Sequence, residues 1–239
     1  MAYVVALLLS TVWFAVLAVD VGSGVTGSLD TTTREFVISS TDETLRYAAR
    51  SLSNVPLVVL AGLNAWSGSR ALSSAAAPAA RAPLLACLAV LLAGFVLPPS
   101  DGWVGDGGLL LVLKEVFGRP RPSELALSAL AFPSGHTAAA AYLGLCFALI
   151  TSPLANAGGE GKARAATPSV TSLVAACVAI ALTGLLRVVA DVHWATDVLA
   201  GAAYGVDLAL AAAALAALLK PVADTAERVK AEDDSPGGK

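Results

Sequence analysis

This 239-residue chain has two histidines, and each lies in a short polar cluster between apolar runs. The first cluster reads Lys114-Glu115-Val116-Phe117-Gly118-Arg119-Pro120-Arg121-Pro122. It is followed by Pro133-Ser134-Gly135-His136 and then by a set spaced as Arg187, His193 and Asp197. Arginine offers a planar fork that fits phosphate oxygens in pairs, and lysine a compact charge. Three cations gathered at Lys114, Arg121 and Arg187 would repel one another unless an anion sat among them. Ser134-Gly135-His136 opens an apolar segment that reads as a helix. A helix N-terminus presents unpaired N–H groups and partial positive charge, which suits a phosphate. Gly135 lets the backbone approach closely. His193 and Asp197 are four apart, so they share a face if the last helix begins at or before His193. A carboxylate on one ring nitrogen fixes the tautomer and leaves the other nitrogen to act as a nucleophile. The plainer alternative is cationic anchors at helix ends and a capped helix start. The presence of both histidines in these clusters favours the site. Arg119, Asp191 and Trp194 read instead as an anchor, a cap and an interfacial aromatic.

These clusters resemble the three motifs of the type 2 phosphatidic acid phosphatase (PAP2) superfamily. Those motifs are Lys-x6-Arg-Pro, Pro-Ser-Gly-His and Ser-Arg-x5-His-x3-Asp. The first two are matched in full, and the third has Leu186 where the pattern has Ser. The resemblance covers roughly residues 54 to 215. It implies an integral membrane phosphatase acting on a lipid phosphate or diphosphate. His193 is then the nucleophile that takes the phosphoryl group, Asp197 orients it, and His136 protonates the leaving alkoxide. Lys114, Arg121, Ser134, Gly135 and Arg187 hold the phosphate oxygens. Cations do the work that magnesium does elsewhere, so neither a metal nor a cofactor is expected. Two alternatives remain: a lipid phosphotransferase of the same superfamily, and a catalytically silent membrane subunit with this fold. Leu186 is the one residue that favours the silent subunit. The soluble vanadium haloperoxidases share the motifs, but this chain is shorter and more apolar.

Composition agrees with a membrane setting. Hydrophobic residues make up 56% and charged residues 14%, with mean hydropathy +0.74. Soluble domains carry about 25% charge. The net charge of −3 gives no basic excess, so nucleic acid is not an expected partner. Cys87, Cys146 and Cys177 fit no metal spacing and read as small core or lipid-facing residues.

A bilayer core of about 30 Å needs roughly 20 apolar residues as a helix. Six crossings are expected: Ala2–Val19, Val55–Leu72, Pro83–Leu97, Thr137–Ile150, Val170–Val189 and Val198–Leu219. No Lys or Arg precedes Arg34, so the first reads as a retained helix rather than a signal peptide. Residues 25–53 are mixed and polar, with a short amphipathic helix over Thr41–Leu52 at the membrane surface. Pro98-Pro99-Ser100-Asp101-Gly102 breaks the third crossing, and Gly108–Phe117 resumes as a short interfacial helix carrying Lys114; two separate crossings is the alternative. Loops are expected at Ser73–Pro83 and Ser152–Ser169. The tail from Lys220 reads as a surface helix fraying into disorder. The fold class expected is an all-α polytopic bundle. It divides into an N-terminal helix and interfacial segment (1–53), a phosphatase core (54–219) and a polar tail (220–239). The excess of Lys and Arg falls at Arg70, Arg81, Lys162, Arg164, Lys220, Arg228 and Lys230, which points to cytoplasmic termini. The three clusters then face the extracytoplasmic side, periplasmic or lumenal.

Overall fold

The structure is a computed structural model. It describes residues 2–24, 27–73, 81–97, 107–123, 130–156 and 168–233. All regular secondary structure among them is helical. In chain order the helices are α1 (Ala2–Ser23), α2 (Gly27–Ser40), α3 (Glu43–Leu52), α4 (Val55–Ser73) and α5 (Arg81–Leu91). α5 runs into a π-helical turn at Leu92–Val96. Then come α6 (Gly108–Phe117), α7 (Gly135–Asn156), α8 (Val170–Val189) and α9 (Ala195–Asp233).

Among the described residues, four helices are long and apolar enough to cross a membrane: α1 over Val5–Ser23, α7 over Gly135–Ser152, α8 over Val170–Val189 and α9 over Ala195–Leu219. The stretch Arg81–Val96 is apolar but shorter. α4 is 19 residues long but carries Asn64, Ser67, Ser69 and Arg70. The expected count of six therefore includes two helices, α4 and α5, that fall short on length or hydropathy. Large apolar side chains lie exposed along α1 (Leu8, Leu9, Val12) and α8 (Val174, Val178, Leu182, Leu185). Such a surface suits hydrocarbon, where a helix satisfies its own backbone. The chain is an integral, multi-pass membrane protein.

α9 packs against α1, α5 and α7, and α7 also packs against α4 and α8. The α7–α9 crossing depends on a Gly-x-x-x-Gly pair on α9. A side chain at Gly201 would overlap the carbonyl oxygen of Ser134, and one at Gly205 that of Ala138. Small residues at this spacing let two membrane helices approach closely. The closeness allows the Ser134 N–H to reach the Asp197 carbonyl at 2.9 Å. The core beside this contact is aromatic. Phe95 packs against Tyr142 and Tyr204, and Phe14 against Tyr204 and Phe132. The Tyr142 hydroxyl donates to the Cys87 carbonyl. Cys87 and Cys146 are buried and Cys177 is exposed.

Several expected boundaries move. α5 begins at Arg81, before Pro83, because proline is tolerated in a first helical turn. α7 runs to Asn156, past Ile150. α9 starts at Ala195 and continues through Lys220 to Asp233, although the tail was expected to fray. Residues 74–80, 157–167 and 234–239, where loops and a tail were expected, lie outside the described residues. The polar stretch before α3 holds an unforeseen helix, α2. Its Thr31-Thr32-Thr33 run favours helix weakly, and contacts with α8 and α9 hold it in place. α3 forms as expected. Asp42 is its N-cap, accepting the Leu45 N–H at 2.7 Å, the usual way to satisfy a first-turn donor.

Candidate active site

The candidate site lies at one end of the bundle, where α6, α7 and α8 meet the start of α9. Gly118 ends α6 in the left-handed conformation (φ 55°), and its N–H donates to the Lys114 carbonyl at 2.9 Å. That cap turns the chain out of the helix, and Arg119, Pro120 and Arg121 follow without regular structure. Lys114 is buried on α6, and its Nζ donates to the Leu130 carbonyl at 3.1 Å. It is also near enough to Asp197 to act on that carboxylate's charge.

The Phe132–Pro133 peptide is cis. Ser134 follows, buried, with its Oγ 3.1 Å from Thr137 Oγ1. Gly135 is the first residue of α7, also buried. His136 lies in the first turn, half-buried. Its Nε2 is 3.0 Å from Oδ1 of Asn54, so the ring N–H donates to the amide oxygen. Arg187 sits in the last turn of α8, buried, with Nη1 3.4 Å from Ser53 Oγ. Its carbonyl accepts the Val192 N–H at 3.3 Å, which folds the next segment back on the helix end. Arg121 is half-buried on the turn after α6.

His193 and Asp197 are both buried. Because α9 starts at Ala195, they do not share a helical face, contrary to the condition set from spacing. His193 stands in the bend before the helix. Its Nδ1 still lies 3.5 Å from Asp197 Oδ2. Catalytic contacts of this kind are often long before substrate binds and tighten in the complex. The same oxygen accepts the Trp194 N–H at 2.9 Å, as a helix cap does.

Arg119 does not behave as a helix-end anchor. Its Nη1 is 2.6 Å from Asp197 Oδ1 and 2.7 Å from Thr196 Oγ1, and its Nη2 is 2.5 Å from Oδ2 of Asp30. The Trp194 ring, expected only as an interfacial anchor, lies over the guanidinium at 5.4 Å and donates from Nε1 to the Pro120 carbonyl at 3.0 Å. Asp30, on α2, drew no notice in the sequence. It is buried, accepting from the Thr196 N–H at 3.0 Å and the Thr196 hydroxyl at 2.7 Å. A carboxylate in an unforeseen helix, far from every motif, gave no signal. The one clue was the extra Arg-Pro step at Arg119-Pro120. Asp191, read as a cap, has φ 53° and is held by a two-pronged ion pair from Arg34 at 2.8 and 3.1 Å.

A cavity of about 270 Å³ lies alongside. Arg46, Tyr47 and Arg50 of α3, with Ser123 and Val192, form part of its wall. Ala49 on the same helix packs with Ala190 and Val192, and Leu186 joins that cluster. The position where the family pattern has Ser thus carries an apolar contact under the His193 segment.

Over 100 residues the chain is 38% identical to a lipid A 1-phosphatase of Porphyromonas gingivalis, an alignment covering 42% of this chain. It spans only 19% of that protein's length. The crystal structure of the first transmembrane PAP2-type phosphatidylglycerolphosphate phosphatase, from Bacillus subtilis, matches in fold with a TM-score of 0.57 at 20% identity. That match covers 84% of this chain and 91% of the other. A model of the PAP2 superfamily fits residues 82–220, which include every residue of the three polar clusters. By that match, extending over more than half its length, the chain belongs to the PAP2 superfamily.

Proposed function

We propose that the protein is a membrane phosphatase that hydrolyses a lipid phosphate or diphosphate through a phosphohistidine at His193, without a divalent metal. The observation that carries this reading is the buried His193–Asp197 pair, 3.5 Å apart, with Lys114 of the first motif near enough to act on the Asp197 charge. The named relatives, a lipid A 1-phosphatase and a phosphatidylglycerolphosphate phosphatase, support a lipid substrate.

In this reading Asp197 accepts a proton-bearing Nδ1 of His193 and leaves Nε2 with its lone pair. Nε2 attacks phosphorus, and the bond from phosphorus to the lipid oxygen breaks. His136 gives its proton to that oxygen. Water then attacks the phosphohistidine, losing a proton to His136. The phosphorus–nitrogen bond breaks and phosphate departs. Lys114, Arg121, Arg187, the Ser134 hydroxyl and the Gly135 N–H hold the phosphoryl oxygens throughout, the Ser134 N–H being taken by the Asp197 carbonyl. Fixed cations and dipoles aimed at that charge supply the main stabilisation. The cavity beside Val192 receives the polar head.

Six crossings, with α4 and α5 included, put both termini in the cytoplasm and the site on the extracytoplasmic side. The division into residues 1–53, 54–219 and 220–239 belongs to the same proposal. The test is phosphate release from a panel of lipid phosphates in detergent, with and without EDTA. Activity that survives EDTA and falls with orthovanadate is expected. Loss in EDTA that magnesium restores would falsify the metal-free mechanism.

A further inference from the structure

We propose that Arg119 and Asp30 are a positioning pair for the Asp197 carboxylate, and that α2 delivers the second acid of the set. The inference rests on reading His193 as the nucleophile. Asp197 has two oxygens with separate tasks. Oδ2 faces Nδ1 of His193 and the Trp194 N–H. Oδ1 is taken by Arg119 at 2.6 Å. With both oxygens bound, the carboxylate plane cannot rotate, so the oxygen that meets the imidazole is fixed.

Arg119 needs fixing in turn. Its fork reaches from Asp197 to Asp30, and the indole of Trp194 covers it. Asp30 is oriented by the backbone and hydroxyl of Thr196, the residue directly before Asp197. The contacts close a ring: Asp197 to Arg119, Arg119 to Asp30, Asp30 to Thr196. The charges also fit the chemistry. One guanidinium between two buried carboxylates leaves the set one negative, against which Lys114, close enough to act on Asp197, sets one positive charge. Without Asp30 the cations Arg119 and Lys114 would outweigh Asp197 and oppose an imidazole that turns cationic. The charge of Asp30 balances them when His193 gains positive character on bonding to phosphorus.

The experiment uses the full chain in detergent with phosphatidate and p-nitrophenyl phosphate. The variants are Arg119→Ala, Arg119→Lys, Asp30→Asn and the double variant Asp30→Asn/Arg119→Ala, with His193→Ala as reference. Arg119→Ala and Asp30→Asn should each lower kcat on both substrates by about 10- to 100-fold, the range seen when a metal-bound histidine loses its outer partner, taken here for a nucleophilic one. KM should change little, because the pair does not touch substrate. Guanidinium ion in the medium should restore part of the Arg119→Ala rate, and tetramethylammonium at equal concentration should not. The double variant should lose less than the product of the two single losses, as expected of residues acting as one unit. Arg119→Lys keeps a cation but not the fork, and should fall between the parent and Arg119→Ala. Raised KM with unchanged kcat would make Arg119 a phosphate ligand and overturn the proposal. So would full activity in Asp30→Asn, or a rate in Arg119→Ala that guanidinium leaves unmoved. If Arg119→Ala does not fold, Asp30→Asn and Arg119→Lys decide the matter by the same split of kcat from KM. Failure of the nucleophile reading shows separately, as labelled phosphate still trapped by His193→Ala.

Discussion

The backbone N–H of Ser134 donates to the backbone carbonyl of Asp197 across 2.9 Å. One hydrogen bond thus sets the distance between the start of α7, proposed to hold phosphate, and the carboxylate that faces His193. It exists because Gly201, one turn further along α9, has no side chain to hold the Ser134 carbonyl away. Overpacking of this kind costs about 1–3 kcal/mol, and a misplacement of about 1 Å at a reacting centre costs about 100-fold in rate. Gly201→Leu should lower the unfolding temperature in detergent and remove most of the activity. Gly201→Ala should do both in smaller measure. Parent-like activity in Gly201→Leu would show that the α7–α9 approach is not what aligns the site.

The two histidines should fail differently. His193→Ala removes the nitrogen proposed to attack and should abolish activity and trapped phosphate on every substrate. His136→Ala removes the proposed proton donor, worth about 10²- to 10⁴-fold. A lipid alkoxide leaves poorly without a proton, whereas p-nitrophenolate is a stable anion. His136→Ala should therefore lose far more on phosphatidate than on p-nitrophenyl phosphate. Asn54, bonded to the His136 ring, should follow the same pattern more mildly when changed to Ala. Equal losses on both substrates in His136→Ala would remove its assigned role.

Leu186→Ser restores the hydroxyl of the family pattern but removes a contact with Ala190 and Val192. One neutral hydrogen bond contributes about 0.5–1.5 kcal/mol. A half-buried leucine should lose less than the roughly 2–5 kcal/mol of a core Leu→Ala change. The two effects oppose each other, so activity should stay within about tenfold of the parent while the unfolding temperature falls. Both are read from one purified sample, as a rate and a melting curve. Collapse of activity in a folded variant would mean that the leucine shapes the pocket.

Sidedness can be read by labelling single cysteines from outside, in a chain whose exposed Cys177 is replaced by Ser. Ala75→Cys, Gly158→Cys and Lys230→Cys should stay unlabelled and Ala126→Cys should react. Ready labelling at Gly158→Cys would put the termini and the site on the wrong sides.

Much of the proposed site could be picked out of the sequence because the phosphoryl chemistry proposed for it restricts residue choice. Lys114, His136, Arg187, His193 and Asp197 stand at spacings that few other demands would produce. α8 was legible to the residue, since an apolar run between polar loops has one natural length in a bilayer. Arg119 and Asp30 were not. A lone arginine beside a motif looks like any interfacial cation, and Asp30 sits 167 positions from the carboxylate it serves. Its role comes from packing of α2 against α9, which no local periodicity announces. The start of α9 was also misplaced. His193 and Asp197 meet through a bend and a cap, where spacing alone suggested a shared helical face.

The contacts from α2, α3 and the turn after it bear on how far this protein can be divided. The segment that matches the family model starts at residue 82. Asp30, Arg34, Ser53 and Asn54 all precede it, and they reach Arg119, Asp191, Arg187 and His136 respectively. A fragment cut at that boundary would keep every signature residue and lose a partner for each of these four. The stretch that identifies the chain is therefore smaller than the stretch that works. A graft or minimal version of this protein has to begin upstream of α2.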